Sequence, residues 1–532
     1  MLGRAGSGSR TPPAGNAGLP PLSPDELRIL AYASAIGPEF DFPLLVAAIG
    51  ADEETLAEQL ERLVRRGILL ERPGGDRFVF AEEGVRADVY RSLTESRLRI
   101  LHRKIAEVME RLHPDPTPDI LSELGRHYFL GKVPARSYEI NRRAAEVARA
   151  AGHPDIAIHH LERAAVDIAA LGGQHHDEAE IAEALGDLSY ATSNFRAADR
   201  YYQVALERVD AEQPRIRARL LLARAELARD NLDAAAATAG AGEALRLFEV
   251  ADDRVGVAQA YRVLGRVAFQ EGNYHEALDQ SMRALEALPE EADAGAIGRL
   301  SIDIGNAFAM LGADVRSEAI EWYERAAERL RAVHDDVELA RALHNLGVVV
   351  GEVRPQDGLE YLQQARDVAE RAHDTRAVGR ALLSGVEMRL TLGQVEEAER
   401  DNDQAGRLLE RLADGLGSQQ VVVNEGLIAE RAGQWDDAAT AFERAVEMGH
   451  ANRIVADEAE ALFHLARLRF KTRDLAAARE AFRRATELRV TELSPRLTAG
   501  YEELRADLER ATARPAAEDG AGDGTPRAGP AL

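Results

Sequence analysis

A short pattern of small and aromatic residues recurs along most of this 532-residue chain at a step of roughly 40 residues. Its clearest copies have glycines at Gly272, Gly312 and Gly433, followed by alanines at Ala277, Ala319 and Ala438. A fixed period of about 20 to 50 residues is typical of a solenoid, in which each repeat packs only against its neighbours. Such a protein functions through its exposed groove, so the repeat predicts a binding surface rather than an enclosed catalytic pocket.

Nine copies of the pattern are predicted between residues 119 and 492, each consisting of two helices. The small residue that closes the first helix, or its replacement, is predicted to fall near Gly152, Ser193, Asp230, Gly272, Gly312, Arg354, Gly393, Gly433 and Arg473. Two neighbouring copies are irregular: the copy at Gly312 has about two additional residues before Ala319, and the copy at Arg354 has about one too few. Because this change alters the local pitch of a superhelix, the junction between these copies is a predicted ligand site.

The region before the repeats has a different pattern. Ser23 and Asp52 are predicted N-caps of two helices, and Phe42–Ile49 forms a short helix between them. Two apolar runs, 68–70 and 78–80, are separated by a Pro-Gly-Gly turn and predict a β-hairpin. Three helices followed by a hairpin predict a winged helix.

The predicted fold class is therefore all-α: a winged-helix domain over residues 23–113, followed by a tetratricopeptide-type α-α superhelical solenoid over residues 117–512. A last helix from about Ser494 to Arg510 is predicted to cover the open end of the solenoid. Residues 1–22 and 513–532 are rich in Gly, Pro and Ala and are predicted to be disordered tails.

The net charge of −25 lies mainly in the repeats and predicts that they repel nucleic acid and anionic membranes. A solvated acidic coat explains this charge, and an acidic groove that selects a basic peptide is the alternative. The chain has no cysteine and no apolar run of membrane-spanning length, and residues 1–21 lack the apolar core expected of a signal peptide. We expect a cytoplasmic protein with no membrane contact.

The repeats look like tetratricopeptide repeats, and their 40-residue step resembles the variant found in bacterial signal-transduction ATPases, where a nucleotide-binding module precedes a winged helix and a helical sensor. The segments that resemble this junction are Ala35–Asp41, Leu60–Leu69, Phe78–Phe80 and Val89–Leu93.

The sequence departs from the family in two respects. No Gly-x-x-x-x-Gly-Lys-Ser/Thr phosphate loop is present, since Gly131-Lys132 is followed by valine. Ala81-Glu82-Glu83 occupies the neighbourhood where the family commonly has a nucleotide-sensing histidine. The resemblance implies a stand-alone sensor half, a chain that works with a separate ATPase or kinase partner, or a C-terminal fragment of a larger ATPase.

No catalytic, cofactor or metal site is predicted. The adjacent pairs His159-His160 and His175-His176 point about 100° apart on a helix, so neither pair is suited to hold one ion. The third predicted helix, Glu54–Arg66, carries balanced charge, which disfavours DNA binding, although a transcription regulator whose winged helix binds DNA remains the alternative function.

The predicted function is that of a non-enzymatic interaction or sensor protein, whose groove binds a peptide, a partner protein or a small effector in signalling or regulation. Groove-facing positions on the first helix of each pair are the candidate binding residues. Arginine holds carboxylates, and an asparagine amide bonds a peptide backbone through its donor and its acceptor. The candidates are Arg262, Arg266, Asn306, His344 and Asn345.

Overall fold

A computed structural model of the chain describes residues 21–173, 175–412, 414–452, 454–488 and 495–513. The predicted disordered tails lie almost wholly outside these residues, and so does the predicted N-cap Ser494. The chain divides into two compact units, Met1–Ala223 and Arg224–Leu532. Most of the described chain consists of α-helices arranged in pairs, so the fold class is the all-α superhelical repeat that the sequence predicts.

The N-terminal unit begins with short elements. They are α1 (Pro24–Ile36), β1 (Glu39–Asp41), α2 (Phe42–Ile49), α3 (Glu53–Arg65), β2 (Leu69–Glu71), β3 (Arg77–Phe80), α4 (Glu83–Ser92) and α5 (Glu95–Leu112). Ser23 caps α1 in a capping box with Glu26, and Asp52 caps α3 by accepting a bond from the Thr55 amide. The three helices and the hairpin form where the sequence predicts them, while the winged-helix assignment stays a prediction.

Two elements of this region were not predicted. Strand β1 pairs antiparallel with β3, with Phe40 opposite Phe78, so the sheet has three strands in the order β1-β3-β2. Helix α4 begins directly after the hairpin at Glu83. A strand of three residues is too short to show a detectable periodicity. Strand β1 forms only because it pairs with β3, which lies far away in the sequence.

The core under the sheet continues into the following helices. Leu30, Leu60 and Phe80 belong to the same buried cluster as Ile105 and Leu124, which lie beyond the hairpin. This cluster continues past residue 113 as far as Ala144 of the following helices. The boundary between a winged-helix domain ending at residue 113 and a solenoid stays a prediction.

Helices joined by short turns make up the rest of the residues that the structure describes. Their bounds are α6 (Pro118–Leu130), α7 (Pro134–Ala150), α8 (Pro154–Ala170), α9 (His175–Ala191), α10 (Phe195–Arg208), α11 (Pro214–Asp230), α12 (Ala234–Val250), α13 (Arg254–Gln270), α14 (Tyr274–Ala287), α15 (Ala294–Leu311), α16 (Arg316–Ala332), α17 (Asp336–Gly351), α18 (Pro355–Arg371), α19 (Thr375–Thr391), α20 (Val395–Arg411), α21 (Gly415–Arg431), α22 (Trp435–Asn452), α23 (Val455–Lys471), α24 (Leu475–Glu487) and α25 (Pro495–Ala513). The odd-numbered helices α7 to α23 each begin one predicted copy, so α7–α24 form nine helix pairs.

Most turns inside the pairs use one residue in the left-handed region followed directly by the N-cap of the second helix. The turn residues are Gly152, Ser193, Leu232, Gly272, Gly393, Gly433 and Arg473. The prediction placed this residue near Asp230. Helix α11 continues through Asp230, and the turn is made two residues later by Leu232 at φ 61°. Leucine replaces the usual small residue there, which hides the turn from a search for Gly, Ser or Asn.

The two irregular copies have different turns. Gly312 has φ 119° and is followed by a 3-10 turn, Ala313–Val315, which takes up the additional residues before α16. In the next copy α17 ends at Gly351, and Arg354 is the N-cap of α18 with φ −129°. The residue before this N-cap, Val353, is not in the left-handed region, unlike its counterparts in most of the other turns. Both departures occur where the spacing of the sequence predicts them.

The last helix packs on the helix two before it. Tyr501 of α25 stacks on Phe463 with ring centroids 4.9 Å apart, and its hydroxyl donates to the Ala459 carbonyl oxygen at 2.8 Å. Leu504 and Leu508 are buried in the same cluster. This packing buries an apolar surface of the last repeat, as the predicted capping helix requires.

Candidate functional site

The first helices of successive pairs in the C-terminal unit run side by side in the same direction. Side-chain bonds join residues about one repeat apart: Asn345 Nδ2 donates to Asn306 Oδ1 at 2.8 Å, and Asn424 Nδ2 donates to the Leu383 carbonyl oxygen at 3.3 Å. Because these bonds connect equivalent positions, side chains on one helical face meet along the stack. The sequence therefore builds one continuous wall from residues that recur at the 40-residue step.

A concave cavity of about 1550 Å³ opens on this wall. Five first helices, α15, α17, α19, α21 and α23, supply most of its lining. Its lining also includes Gly312, Ala313 and Pro355 of the two irregular copies, together with Ala499 of α25. The junction that the sequence singles out as a ligand site thus borders the cavity. Apolar lining residues are Met310, Val348, Leu383, Met388, Leu427 and Ile454.

Three arginines line the cavity, and two of them form ion pairs. Arg316 Nη2 lies 2.8 Å from Glu352 Oε2, and Arg376 Nε lies 2.8 Å from Asp414 Oδ2. The third, Arg380, is exposed and has no hydrogen bond or ion pair with any described residue. An unpaired guanidinium in a concave site is available to a carboxylate of a ligand.

Asp414 is held ionised at the start of α21. The Gly417 amide donates to Asp414 Oδ1 at 3.1 Å, and this bond, together with the Arg376 guanidinium, lowers the pKa of the Asp414 carboxyl despite its burial. Arg380 adds a further lowering, so its charge lies close to this carboxylate. The Arg376–Asp414 pair therefore neutralises itself, and Arg380 is left as the arginine without an ion pair in the described lining, which also includes Glu387 of the same helix.

Acidic residues line the cavity on α23. Burial and the neighbouring Glu460 carboxylate raise the pKa of Asp457 to about 6. Asp457 forms no ion pair or hydrogen bond with the part of the chain that the structure describes. The His464 ring, 6% exposed, lies beside them with Nε2 3.8 Å from Glu460 Oε1, while its buried Nδ1 has no described hydrogen-bond partner.

A hydrogen-bonded chain of side chains leads from the cavity into the helix stack. Ser384 Oγ lies 3.0 Å from His344 Nε2, His344 Nδ1 lies 3.1 Å from Asn345 Oδ1, and Asn345 bonds Asn306. The Tyr323 hydroxyl also donates to Asn306 Oδ1, at 2.8 Å. Burial lowers the pKa of His344, and Arg380 lowers it further. A neutral His344 therefore links the cavity surface to three consecutive repeats.

The predicted candidates have different positions. His344 lines the cavity, and Asn306 and Asn345 lie behind it with their amides engaged in the network. Arg262 and Arg266 do not line the cavity. Arg262 Nε already pairs with Asp303 Oδ2 at 2.6 Å. Burial and the neighbouring Arg229 lower the pKa of Arg266. The binding role of all five stays a prediction.

Sequence reasoning missed Arg380, Asp457 and Glu460, although a signal for two of them exists. On three neighbouring first helices, the residue thirteen positions before the left-handed residue of the following turn lines the cavity. It is occupied by Arg380 on α19, Gln420 on α21 and Glu460 on α23. Reading this position down the chain reveals a change from basic through neutral to acidic.

The described residues contain no group of three or more His, Asp or Glu side chains placed to hold a metal ion. His175 and His176 belong to α9, but their side chains lie outside what the structure describes. No helix in the described ranges is long and apolar enough to cross a bilayer.

The fold and its groove define a helical-repeat protein of the interaction type. Residues 423–489, which span most of α21 to α24, match the tetratricopeptide repeat family. The C-terminal copies are therefore tetratricopeptide repeats within a helical solenoid. No curated protein sequence matches the chain.

Several solved structures are similar to this chain at low identity. A signal transduction ATPase with numerous domains and a tetratricopeptide repeat sensor from Pyrococcus horikoshii is 14% identical at a TM-score of 0.45, covering 80% of this chain and 62% of that one. A Rap protein complexed with competence and sporulation factor is 14% identical at 0.37, covering 78% and 94%. Aspartyl phosphate phosphatase F from Bacillus subtilis is 11% identical at 0.30, covering 90% and 98%. The chain thus spans about 62% of the length of the Pyrococcus protein.

Proposed function

We propose that this chain is a non-enzymatic regulatory protein whose C-terminal cavity binds a peptide, a segment of a partner protein or a small effector. The observation that carries the proposal is the cavity of about 1550 Å³, in which Arg380 and Asp457 lack partners among the described residues. Elsewhere on this wall, charged groups such as Arg376 and Arg316 are neutralised within the chain. Charges left without partners in a concave, partly apolar site are typical of ligand recognition.

The repeats supply the second support. Tetratricopeptide copies expose one face of each first helix, and a ligand lying across several helices contacts one or two side chains from each. Here five first helices contribute to one cavity. An extended segment suits this surface because it crosses successive helices.

DNA binding by the N-terminal unit, the alternative function, has less support. Arg66, the C-cap of α3, pairs with Glu26 at 3.1 Å, and Arg77 of the hairpin pairs with Asp41 at 3.0 Å. A helix and a hairpin that contact phosphates need basic groups that are not already neutralised. A separate ATPase or kinase partner stays a prediction from the family resemblance.

Selection from a peptide library tests the proposal. The full chain is panned against a phage-displayed library of random heptapeptides, and the affinity of enriched peptides is measured by calorimetry. Ser384→Trp places a large ring at the cavity surface and should weaken binding at least tenfold. Arg400→Trp, on the exposed face of α20, is the matched control and should leave the affinity unchanged.

Two results would contradict the proposal. One is that no peptide is enriched, or that Ser384→Trp binds the enriched peptides as well as the wild type while both variants keep the wild-type circular dichroism and melting temperature. The other is hydrolysis of ATP by the purified chain, which would show that the protein is an enzyme.

A further inference from the structure

One repeat position in the C-terminal cavity changes its charge from α19 to α23, while Glu387 also lines the cavity from the second half of α19. This inference rests on the proposed function of that cavity. Arg380 on α19 and the pair Asp457 and Glu460 on α23 line the same cavity, with Gln420 of α21 between them in the repeat register. The change runs across three neighbouring first helices rather than along one.

We propose that the cavity binds an extended peptide that carries an acidic group and a basic group, with the acidic group bound by Arg380 and the basic group bound by Asp457 and Glu460. Arg380 offers a fork of N–H donors to a carboxylate. The two carboxylates offer acceptors to an ammonium or guanidinium group. The ligand is thereby oriented by its own charges.

The acidic side of the cavity has features that a solvated acidic face lacks. Asp457 is half-buried, although no cation neutralises it among the described residues. A half-buried carboxylate next to another carboxylate is unfavourable, and a bound cation relieves both the burial and the repulsion. The nearly buried His464, whose Nδ1 lacks a described partner, lines the same side.

The separation of the two charged sides favours a peptide over a small metabolite. Packed helices lie about 8–10 Å apart, so α19 and α23 are separated by two such steps, or at most about 20 Å. An extended chain advances about 3.3 Å per residue, so about six residues cover that distance. A single amino acid carries both charges but is too short to reach both helices.

Polar groups in the middle of the cavity suit a peptide backbone. Gln420 and Asn424 of α21 line the cavity between the charged sides, and the Gln420 Nε2 lies 3.3 Å from Asn424 Oδ1. The Asn452 amide offers both a donor and an acceptor, and Gln420, whose Nε2 donates to Asn424, keeps its Oε1 acceptor. Such groups bind a main chain without regard to its side chains.

Charge-changing variants test the inference with the same heptapeptide library. Peptides enriched by the wild type should carry at least one acidic and one basic residue, separated by several positions. Arg380→Gln and the double variant D457N/E460Q should each weaken these peptides about tenfold, while Arg400→Gln on α20 should have no effect. Panning on Arg380→Glu should select peptides that are basic without an acidic residue.

The outcomes separate the inference from the proposed function. Enriched peptides without charge bias, which still lose affinity in Ser384→Trp, would overturn the inference and leave the proposed function intact. Peptides that are only basic, with no effect of Arg380→Gln, would also overturn it. Failure to enrich any peptide would overturn the proposed function and this inference with it. Circular dichroism and the melting temperature of each variant confirm that the fold is retained.

Discussion

Single small residues decide how closely the two helices of a pair approach. A Cβ placed on Gly426 would lie 2.5 Å from Phe442 Cε1, and one on Gly305 would lie 2.7 Å from Tyr323 Cε1. Each large ring therefore fills space that exists only because the residue facing it has no side chain.

Gly426→Ala is expected to lower the free energy of unfolding of the C-terminal unit by about 1–3 kcal/mol, because the added methyl group displaces the Phe442 ring. Urea unfolding followed by tryptophan fluorescence measures this change, since both tryptophans of the chain, Trp322 and Trp435, lie in that unit. Gly242→Ala in α12 is the matched control. Its Cβ meets nothing within 4 Å, so we expect a gain of up to about 1 kcal/mol. Equal destabilisation by both variants would contradict the packing account.

Asp457 should make the folded C-terminal unit less stable at neutral pH. The pKa of Asp457, about 6, lies above the ordinary value of 3.8, so folding favours the protonated carboxyl. The stability that this protonation contributes is complete below about pH 4 and is lost as the pH rises through 6. Asp457→Asn is therefore expected to raise the free energy of unfolding by about 1–2 kcal/mol at pH 7.5 and to have little effect at pH 4. The same urea titration at the two pH values measures the difference.

Asp414 provides the control for this prediction, because its pKa is lowered by the Gly417 amide and by Arg376. Asp414→Asn should be neutral or destabilising at pH 7.5, so its sign differs from that of Asp457→Asn. A loss of stability in Asp457→Asn at pH 7.5 would show that this carboxylate supports the fold, and would weaken its assignment to ligand binding.

At the scale of elements, most turns between paired helices use one residue in the left-handed region, and the turn between α11 and α12 is unusual because that residue is a leucine. Leu232 has φ 61° and is 81% exposed, whereas the equivalent residue between α19 and α20 is Gly393 at φ 77°. A β-carbon in the left-handed region costs about 1–2 kcal/mol, and the exposed leucine gains little by packing.

Leu232→Gly should therefore stabilise the C-terminal unit by about 1 kcal/mol, and Gly393→Leu should destabilise it by a similar amount. Urea unfolding monitored by tryptophan fluorescence measures both variants. If Leu232→Gly lowered the stability, the leucine would have to be making a contact that its exposure does not indicate.

A buried pair of histidines joins α5 to α6 in the N-terminal unit. His102 Nδ1 lies 2.8 Å from His127 Nδ1, and Arg126 Nη2 lies 3.0 Å from His127 Nε2. Because arginine only donates, His127 accepts at Nε2 and donates from Nδ1 to His102, which in turn donates from Nε2 to the Tyr90 hydroxyl at 2.9 Å. Both rings are neutral in this arrangement, and a further proton on either one would bring two donors together.

This arrangement predicts acid sensitivity of the N-terminal unit. Burial and the Arg126 charge lower the pKa of His102 to about 4, and burial lowers the pKa of His127 well below its usual value. The stability that the neutral His102–His127 pair contributes to the folded unit is therefore complete above pH 6.5 and is lost as the pH falls towards 4. Hydrogen exchange, corrected for intrinsic rates, should show faster opening of α5 and α6 at pH 5 than at pH 7. Unchanged protection would contradict the neutral pair.

The helices were predictable because local residues determine them. Caps such as Ser23 and Asp52, and the 40-residue frame, identify most helices from the sequence alone. Strand β1 was missed because it exists only through pairing with β3. The turn at Leu232 was displaced because an unfavourable residue occupies it.

At the scale of the whole molecule, the sequence indicates a groove but not which part of it forms a cavity. His344 was predicted and lines the cavity, and the irregular copies at Gly312 and Arg354 were predicted to mark a ligand site and border it. Arg262 was equally attractive in sequence, yet it pairs with Asp303. Whether a charged residue is already neutralised depends on the neighbouring repeat, which spacing alone does not reveal.

The most direct measurement is hydrogen exchange of the full chain with and without a heptapeptide selected by the wild type. The account predicts new protection in the first halves of α19, α21 and α23, where Arg380, Gln420 and Glu460 line the cavity, and no protection in Ser384→Trp. Protection centred on α13, around Arg262 and Arg266, or protection that persists in Ser384→Trp, would contradict it.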